Sequence, residues 1–380
     1  MRKYSDIVIV GAGASGLLCG ALVAGQGKSV VIIEKNNRIG KKLLATGNGR
    51  CNFTNLHMDT SCFYSKKDWL EKILQKVTPE DVILQFEKLG VLHREREGYV
   101  YPHTNQATTV VSALHRFCEK TSVDIVLECS VNHIRKKENG QMFLVQTSQG
   151  EICCQQLVLA TGGAAGKESG GSFSGYSLVK DVGHRVSPCY PGLTGLICEG
   201  KQWKQVAGTR IQGRFSLLID GKRKEGETGE IQIVKNGVSG IPVFQLCRVA
   251  AEALACGKFV EGEIDFVPGL NKEKLTKWLD IYGKEGLVPA KWLPVLRDGD
   301  VKQLKSYRFS VKDTFGMERA QVTAGGVFLS EVNPSTMESK RQNHLYLTGE
   351  LLHTDGKCGG YNLHFAWATA MIAAEAIIAK

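Results

Sequence analysis

Gly11, Gly13 and Gly16 are the first residues in this chain whose type and spacing could do chemistry. They follow Ile7-Val8-Ile9-Val10, a β-branched run suited to a buried strand, and precede an alanine- and leucine-rich stretch of helical character from Leu17. The order strand, G-x-G-x-x-G, helix gives each glycine a task. Gly11 turns the chain off the strand, Gly13 lets backbone N–H groups approach a pyrophosphate, and Gly16 lets the helix lie close to the sheet. Ala12, Ala14 and Ser15 complete the turn, and the helix N-terminus offers unpaired N–H groups and partial positive charge to the phosphates. A second strand, Ser29 to Ile33, ends at Glu34, a carboxylate about twenty residues on and placed to accept hydrogen bonds from a ribose diol. These residues predict a dinucleotide site. They also argue against reading the uncharged stretch 7–25 as a membrane anchor or secretion signal, because neither needs glycines at these intervals and no cleavage site follows.

Two later segments repeat the logic. "QLVLATGG" is a hydrophobic strand closing on Ala160-Thr161-Gly162, where small residues let the chain pass close to a nucleotide. "LYLTGELLHTDGKCGGYNLHFAWATA" holds a strand, Leu345 to Leu347, that ends in Thr348-Gly349-Glu350, and Gly359-Gly360 precede a final helix. Glycines at a helix start again expose N–H groups to a polar edge or a phosphate. No second G-x-G-x-x-G follows a strand later in the chain, so a separate nicotinamide-binding domain is not expected.

Around these motifs the chain reads as a nucleotide-binding domain interrupted by an insertion. A polar, glycine-rich loop spans Ile39 to Asn55, and 66–90 reads as two helices with Leu70, Ile73, Leu74 and Val77 at helical spacing and Pro79 opening the second. An amphipathic helix is expected from Ala107 to Lys120. Beyond it the period changes to alternation through 123–163, with turns at Glu138-Asn139-Gly140 and Gln149-Gly150 and a last strand closing at Leu157 to Thr161. Strands dominate from Ser187 to Pro268, with an embedded helix over Pro242 to Cys256. Asn271 to Arg308 reads as largely helical, "GGVFL" and "HLYLTGE" return to strand character, and an alanine-rich helix follows. The expected division is 1–186 for the first part of the nucleotide domain, 187–320 for a β-barrel-like substrate region with a helical subdomain at about 270–308, and 321–380 for the rest of the nucleotide domain.

With 380 residues, 43% hydrophobic and 23% charged, the chain is an ordinary globular protein rather than a disordered or fibrous one. Its +10 net charge is spread without an arginine-rich tail, which argues against a nucleic-acid partner. The twelve cysteines show no C-x-x-C, and Cys153-Cys154 are neighbours in a strand, pointing to opposite faces; neither disulfides nor a zinc or other metal site is expected. Many reduced cysteines without an export signal point to the cytoplasm.

The N-terminal fingerprint, the ATG strand end and the TGE strand end together resemble FAD-binding proteins of the glutathione-reductase-like superfamily. "GKKLLATGNGRCNFTN", "VLATGGAAG", "TAGGV" with "STMESK", and "GGYNL" resemble, over essentially the whole chain, the HI0933-like, BaiN-like flavoproteins, also described as NAD(P)/FAD-dependent oxidoreductases or the aminoacetone oxidase family. The resemblance implies an α/β fold with a discontinuous Rossmann-like FAD-binding domain, and non-covalent FAD. Gly11 to Gly16 would hold the pyrophosphate, and Glu34 with Lys35 the adenosine ribose. Lys42 and the loop Thr46, Gly47, Asn48, Gly49, Arg50, Cys51 and Asn52 would line the flavin side, and Val131 would offer its backbone to adenine. Thr161 and Gly162 would pass near the nucleotide, and Gly349, Glu350, Gly360, Tyr361, Asn362 and Leu363 would reach the ribityl chain and the ring. The sequence departs from the family in reading Thr46-Gly47-Asn48 for Ser-Gly-Gly and His353 for Asp.

The expected chemistry is NAD(P)H-driven reduction of a conjugated C=C bond in an enone- or steroid-like small molecule, with the nicotinamide binding transiently. Arg50, His353 and His364 are the candidate catalytic residues, the first for an anionic group and the histidines as proton donors. Cys51 and Cys358 lie in cofactor loops but lack a resolving partner, so direct transfer between flavin and substrate is expected rather than thiol exchange. An oxygen-using amine oxidase, a folate/FAD-dependent tRNA-modifying enzyme and a non-catalytic flavin redox sensor are the alternatives.

Overall fold

The computed structural model describes residues 2–137 and 142–380. The turn expected at Glu138-Asn139-Gly140 lies outside the described residues. The chain divides into two compact units, Met1–Cys189 with Val322–Lys380, and Tyr190–Gln321.

The first unit is built on a seven-stranded sheet. Five strands run parallel in the order Asp124–Val126, Val30–Ile33, Tyr4–Val10, Gly150–Leu159, Leu345–Leu347. The β-branched runs explain the centre: Ile7, Val8 and Ile9 are at most 1% exposed, and so are Val30 to Ile33. Burying each such side chain contributes about 1.5–3 kcal/mol, and strands covered on both faces read as unbroken apolar runs. Gly150–Leu159 serves two sheets' worth of pairing. Its first half pairs antiparallel with Phe143–Thr147, which pairs in turn with Val131–Lys136, and its last three residues pair parallel with Leu345–Leu347. Cys153 is half-buried and Cys154 fully buried, as alternation along a strand requires.

Helix Ala14–Ala24 packs on the sheet against the closing helix Tyr361–Ile378 and against Ala107–Lys120. The stretch 66–90 forms helices Lys67–Lys76 and Pro79–Lys88. The second begins with a capping box, Thr78 and Asp81 bonding to each other's backbone N–H. The loop expected over Ile39 to Asn55 is more ordered than its composition suggests, holding a short helix, Lys41–Ala45, a tight turn, Thr46–Gly49, and strand Thr54–Asn55. "GGVFL" is buried but is not a strand. Val327 makes single bridges to Val186 and Leu352, and the strand here is Val322–Ala324. Gly325 and Gly326, at φ 109° and 142°, break it off.

The second unit is a closed antiparallel barrel in the order Leu196–Cys198, Gly237–Ser239, Lys222–Val234, Arg210–Ile219, Val260–Asp265, Tyr307–Thr314, the last pairing back to the first. The barrel-like insertion is therefore present. Helix Ile241–Ala255 packs on it, and Trp203, Phe215, Trp292 and Phe309 fill the unit's core. The helical reading of Asn271 to Arg308 is too long. Helices Lys272–Tyr282 and Val301–Lys305 form, but Tyr307 and Arg308 begin the closing strand. There Arg308 reaches the buried Glu263, which Arg223 and Ser306 also bond. A pairing partner distant in sequence decides this segment.

Candidate functional site

Five strand ends meet at the carboxyl edge of the parallel sheet. Gly11 N–H donates to the Ile33 carbonyl at 2.8 Å and Glu34 N–H to Val126 at 2.8 Å, while Ala160 N–H reaches Val10 at 2.9 Å and Thr348 N–H reaches Leu159 at 3.1 Å. The turns that leave these strands therefore lie side by side, at the edge where open α/β sheets bind ligands.

The three glycines divide by what a side chain would meet. A Cβ on Gly11 would lie 2.4 Å from the Ala160 carbonyl oxygen, and on Gly16 it would lie 1.9 Å from that of Gly11. On Gly13 it would meet nothing within 4 Å, and Gly13 has an ordinary φ of −85°. Packing demands the outer two. The middle one leaves bare backbone at a helix N-terminus, which is the surface a pyrophosphate needs. Gly162, at φ 70°, likewise has nothing within 4 Å of a built Cβ.

Glu34 is 7% exposed and braces this turn. One carboxylate oxygen accepts from Ala12 N–H at 2.8 Å, and the other accepts from the backbone N–H and side-chain amide of Asn36 at 2.8 and 2.6 Å. A carboxylate has about four lone-pair sites, so with three of them used, capacity for one ribose hydroxyl remains. Lys35 is exposed, and partial desolvation by its neighbours pulls its ammonium below the usual lysine range. Cys129 N–H donates to the Glu34 carbonyl at 2.9 Å, which brings the chain entering Val131 onto the same edge.

A polar cluster ties four separated motifs together. Lys42 Nζ lies 2.6 and 2.9 Å from the two carboxylate oxygens of Glu350. Glu350 also accepts from Thr323 N–H at 2.8 Å, and Thr323 Oγ1 accepts from Ala165 N–H at 2.9 Å. Gly163 is needed here, because a Cβ would lie 2.4 Å from Thr323 Oγ1 and 2.7 Å from Glu350. Thr323 and Gly163 were not among the expected site residues. The motif "TAGGV" was the available signal for Thr323. Nearby, Thr348 Oγ1 donates to Ser15 Oγ at 3.1 Å and Gly349 N–H to Thr369 Oγ1 at 3.0 Å, so the first and last motifs are joined directly.

The loop between Lys42 and Asn52 is held by its own bonds. Thr46 Oγ1 donates to the Leu43 carbonyl at 2.6 Å, and Arg50 Nε to the Gly47 carbonyl at 3.0 Å. Gly47, Asn48, Gly49 and Cys51 all have positive φ; asparagine is among the residues that tolerate this region. Asn52 is 9% exposed, and its Oδ1 has no partner among the described residues. It faces the start of the closing helix, where a Cβ on Gly360 would lie 2.8 Å from it. Asn362 spends its side-chain amide on both backbone groups of Gly356 at 2.8 Å, so it shapes the helix entry. Tyr361 meets Phe63 edge-on, and Leu363 is half-buried on the same first turn.

The candidate catalytic residues separate. His364 is fully buried, its Nδ1 2.8 Å from Thr54 Oγ1 and its Nε2 3.2 Å from the Val77 carbonyl. Burial pushes its pKa down to about 4. Both ring nitrogens are committed to the protein, which is the environment of a core histidine. His353 is half-buried, edge-on to Phe328 at 6.3 Å. Arg50 is exposed, its guanidinium 5.7 Å from the Tyr101 ring centroid. Cys51 is fully buried and its thiol is pushed up to about 12; burial also raises Cys358. Neither is a thiolate near neutral pH.

The family model for the HI0933-like protein Rossmann domain matches residues 5–376. The chain belongs to the HI0933-like family. It is an FAD-dependent oxidoreductase. A 3-dehydro-bile acid delta(4,6)-reductase of Clostridium scindens is 34% identical over 97% of this chain and 98% of that protein. Ribosomal RNA dihydrouridine synthases of Haemophilus influenzae and Escherichia coli are 27% and 28% identical over at least 99% of both chains. Among solved structures, a 3-ketosteroid delta1-dehydrogenase from Sterolibacterium denitrificans covers all of this chain and all of its own, with TM-score 0.58 and 10% identity. That likeness is one of fold. No helix among the described residues is long and apolar enough to cross a membrane.

The residues fit FAD. Bare backbone at Gly13 and the Asn52 Oδ1 that has no partner among the described residues are features that the folded chain alone does not use.

Proposed function

We propose that this protein reduces a C=C bond conjugated to a carbonyl, using NAD(P)H as the electron donor. The observation that carries the reading is the end-to-end similarity to three reductive enzymes. The substrates implied by their names share one chemistry: a 3-oxo bile acid with conjugated unsaturation and a uracil ring both present an activated C=C next to a carbonyl, and both gain two hydrogens across it. Bound FAD supplies the hydride relay between nicotinamide and substrate.

The chain's own residues supply binding and charge. Gly11 to Gly16 and the first turn of Ala14–Ala24 would hold the pyrophosphate, with Glu34 at the ribose and Val131 beside the adenine. The Lys42–Glu350 pair, with Thr161 and Gly162, would border the ribityl region. The helix Tyr361–Ile378 has no acidic residue in its first turn, so its N-terminus offers uncompensated positive potential to an electron-rich ring edge. Asn52 Oδ1, which has no partner among the described residues, would accept a hydrogen bond there. The substrate receives one hydride and one proton, and the nicotinamide leaves oxidised.

The substrate class has two readings. A small steroid-like enone is supported by the bile-acid reductase relative. A uracil in RNA is supported by the two dihydrouridine synthases and by the +10 charge, against the expectation of no nucleic-acid partner. Anaerobic mixing with NADH or NADPH should bleach the flavin. Reoxidation by a 3-oxo-Δ4 steroid selects the first substrate and reoxidation by uridine-containing RNA the second. Flavin that is reduced by amines and reoxidised only by oxygen would overturn the proposal in favour of an amine oxidase.

A further inference from the structure

A small antiparallel sheet, Thr54–Asn55, Tyr99–Pro102 and His93–Arg96, stands beside the start of the closing helix. Val100 is fully buried and marks its inner face. Register pairs Arg94 with Tyr101 and Arg96 with Tyr99, so these four side chains share the other face. Two cations approach Tyr101, the Arg50 guanidinium 5.7 Å and the Arg94 guanidinium 5.9 Å from its ring centroid. All three arginines are exposed, and Tyr99 is 36% exposed. The acidic groups nearby are few. Glu95, on the inner-face register, bonds Gly98 N–H, and Glu97 lies 3.9 Å from Arg96 with both side chains in solvent. The platform adjoins the cofactor segment, since a Cβ on Gly359 would lie 3.0 Å from the Tyr99 ring.

We propose that this arginine–tyrosine face binds single-stranded RNA and delivers a base to the flavin site, an inference that rests on the uracil reading above. Guanidiniums pair with phosphates through planar forks, and aromatic rings stack bases irrespective of sequence. An open sheet face with cations on one strand and a loop and aromatic rings on the next strand suits a polymer better than a single dinucleotide. An acidic peptide would use the arginines but has no groups to stack on two tyrosines.

The test is Arg94→Gln with Arg96→Gln in the FAD-loaded protein. The probe is a fluorescein-labelled twelve-nucleotide oligouridine, followed by anisotropy across a salt series. Loss of two phosphate contacts should weaken binding at least tenfold. It should also flatten the slope of log affinity against log salt by about 1.4, since each single-strand phosphate contributes about 0.7. Arg94→Lys with Arg96→Lys should keep most of the slope, and Tyr99→Ala should weaken binding without changing it. FAD content and circular dichroism confirm folding in each sample. RNA affinity equal to that of the unaltered protein would overturn the proposal, and so would a variant that loses only NAD(P)H-driven flavin reduction. Turnover of uridine by a variant that binds RNA normally would sink this face and leave the uracil reading intact. Wild-type protein that binds the probe but reduces only steroid enones would sink the reading and leave the face intact.

Discussion

Replacing Gly13 by alanine separates a residue kept for a ligand from one kept for packing. The methyl meets nothing within 4 Å in the folded chain, and φ −85° with ψ −166° is open to any L-residue. Alanine is a poorer N-cap than glycine, but it also lowers the entropy of the unfolded chain by about 0.4–1 kcal/mol. These effects oppose each other, so the apoprotein should keep its stability within about 1 kcal/mol. FAD should not fare as well. A methyl between the backbone N–H groups and a phosphate removes one or two charge-assisted hydrogen bonds at about 1.5–3 kcal/mol each. The expected loss is about 2–5 kcal/mol, or roughly thirtyfold to several thousandfold in Kd. Gly16→Ala is the contrasting variant, because its methyl would overlap the Gly11 carbonyl oxygen at 1.9 Å and the fold itself should suffer. Apoprotein titrated with FAD by fluorescence quenching, alongside thermal melts, reads both quantities. A folded Gly13→Ala protein with unchanged FAD affinity would refute the placement of the pyrophosphate.

The other predictions concern His364 and the two cysteines of the cofactor loops. Burial lowers the His364 pKa to about 4 from an ordinary 6.5, so the unfolded chain takes up the proton first. This contribution is complete above about pH 6.5 and declines towards pH 4, by about 3 kcal/mol in all. His364→Gln should lessen the loss of stability across that window in denaturant melts while keeping flavin reduction within about tenfold; a collapse of turnover with FAD bound would restore it as a catalytic group. Cys51→Ser with Cys358→Ser should also leave turnover within about tenfold, the scale of a 1.4 kcal/mol disturbance. A loss of several orders of magnitude at full FAD content would point to thiol chemistry.

Much of the first unit was legible because its signals are local. Ile7 to Val10, the glycine triplet and the helix after it are adjacent in sequence, and so are the Ala107–Lys120 stripe and the Thr78–Pro79–Asp81 helix start. Misreadings came where the partner is remote. Tyr307–Thr314 is a strand because the barrel closes on it, and Val327 is buried beside Val186 and Leu352 without belonging to a ladder. His364 has the residue type of a proton donor, and only the positions of Thr54 and Val77 show that its nitrogens are committed.

The sequence by itself determined that a dinucleotide site exists, because a strand, three glycines, a helix and a terminal carboxylate form a unit within about thirty residues. Tertiary structure decided what surrounds it. Lys42 meets Glu350 across 308 positions of chain, and Thr323 joins them through one backbone N–H. Arg50, Arg94 and Tyr101 form one face only because a loop folds back over a three-stranded sheet. Periodicity is a property of neighbours along the chain, whereas charge pairing, close approach and shared faces are set by the packing that brings distant segments together.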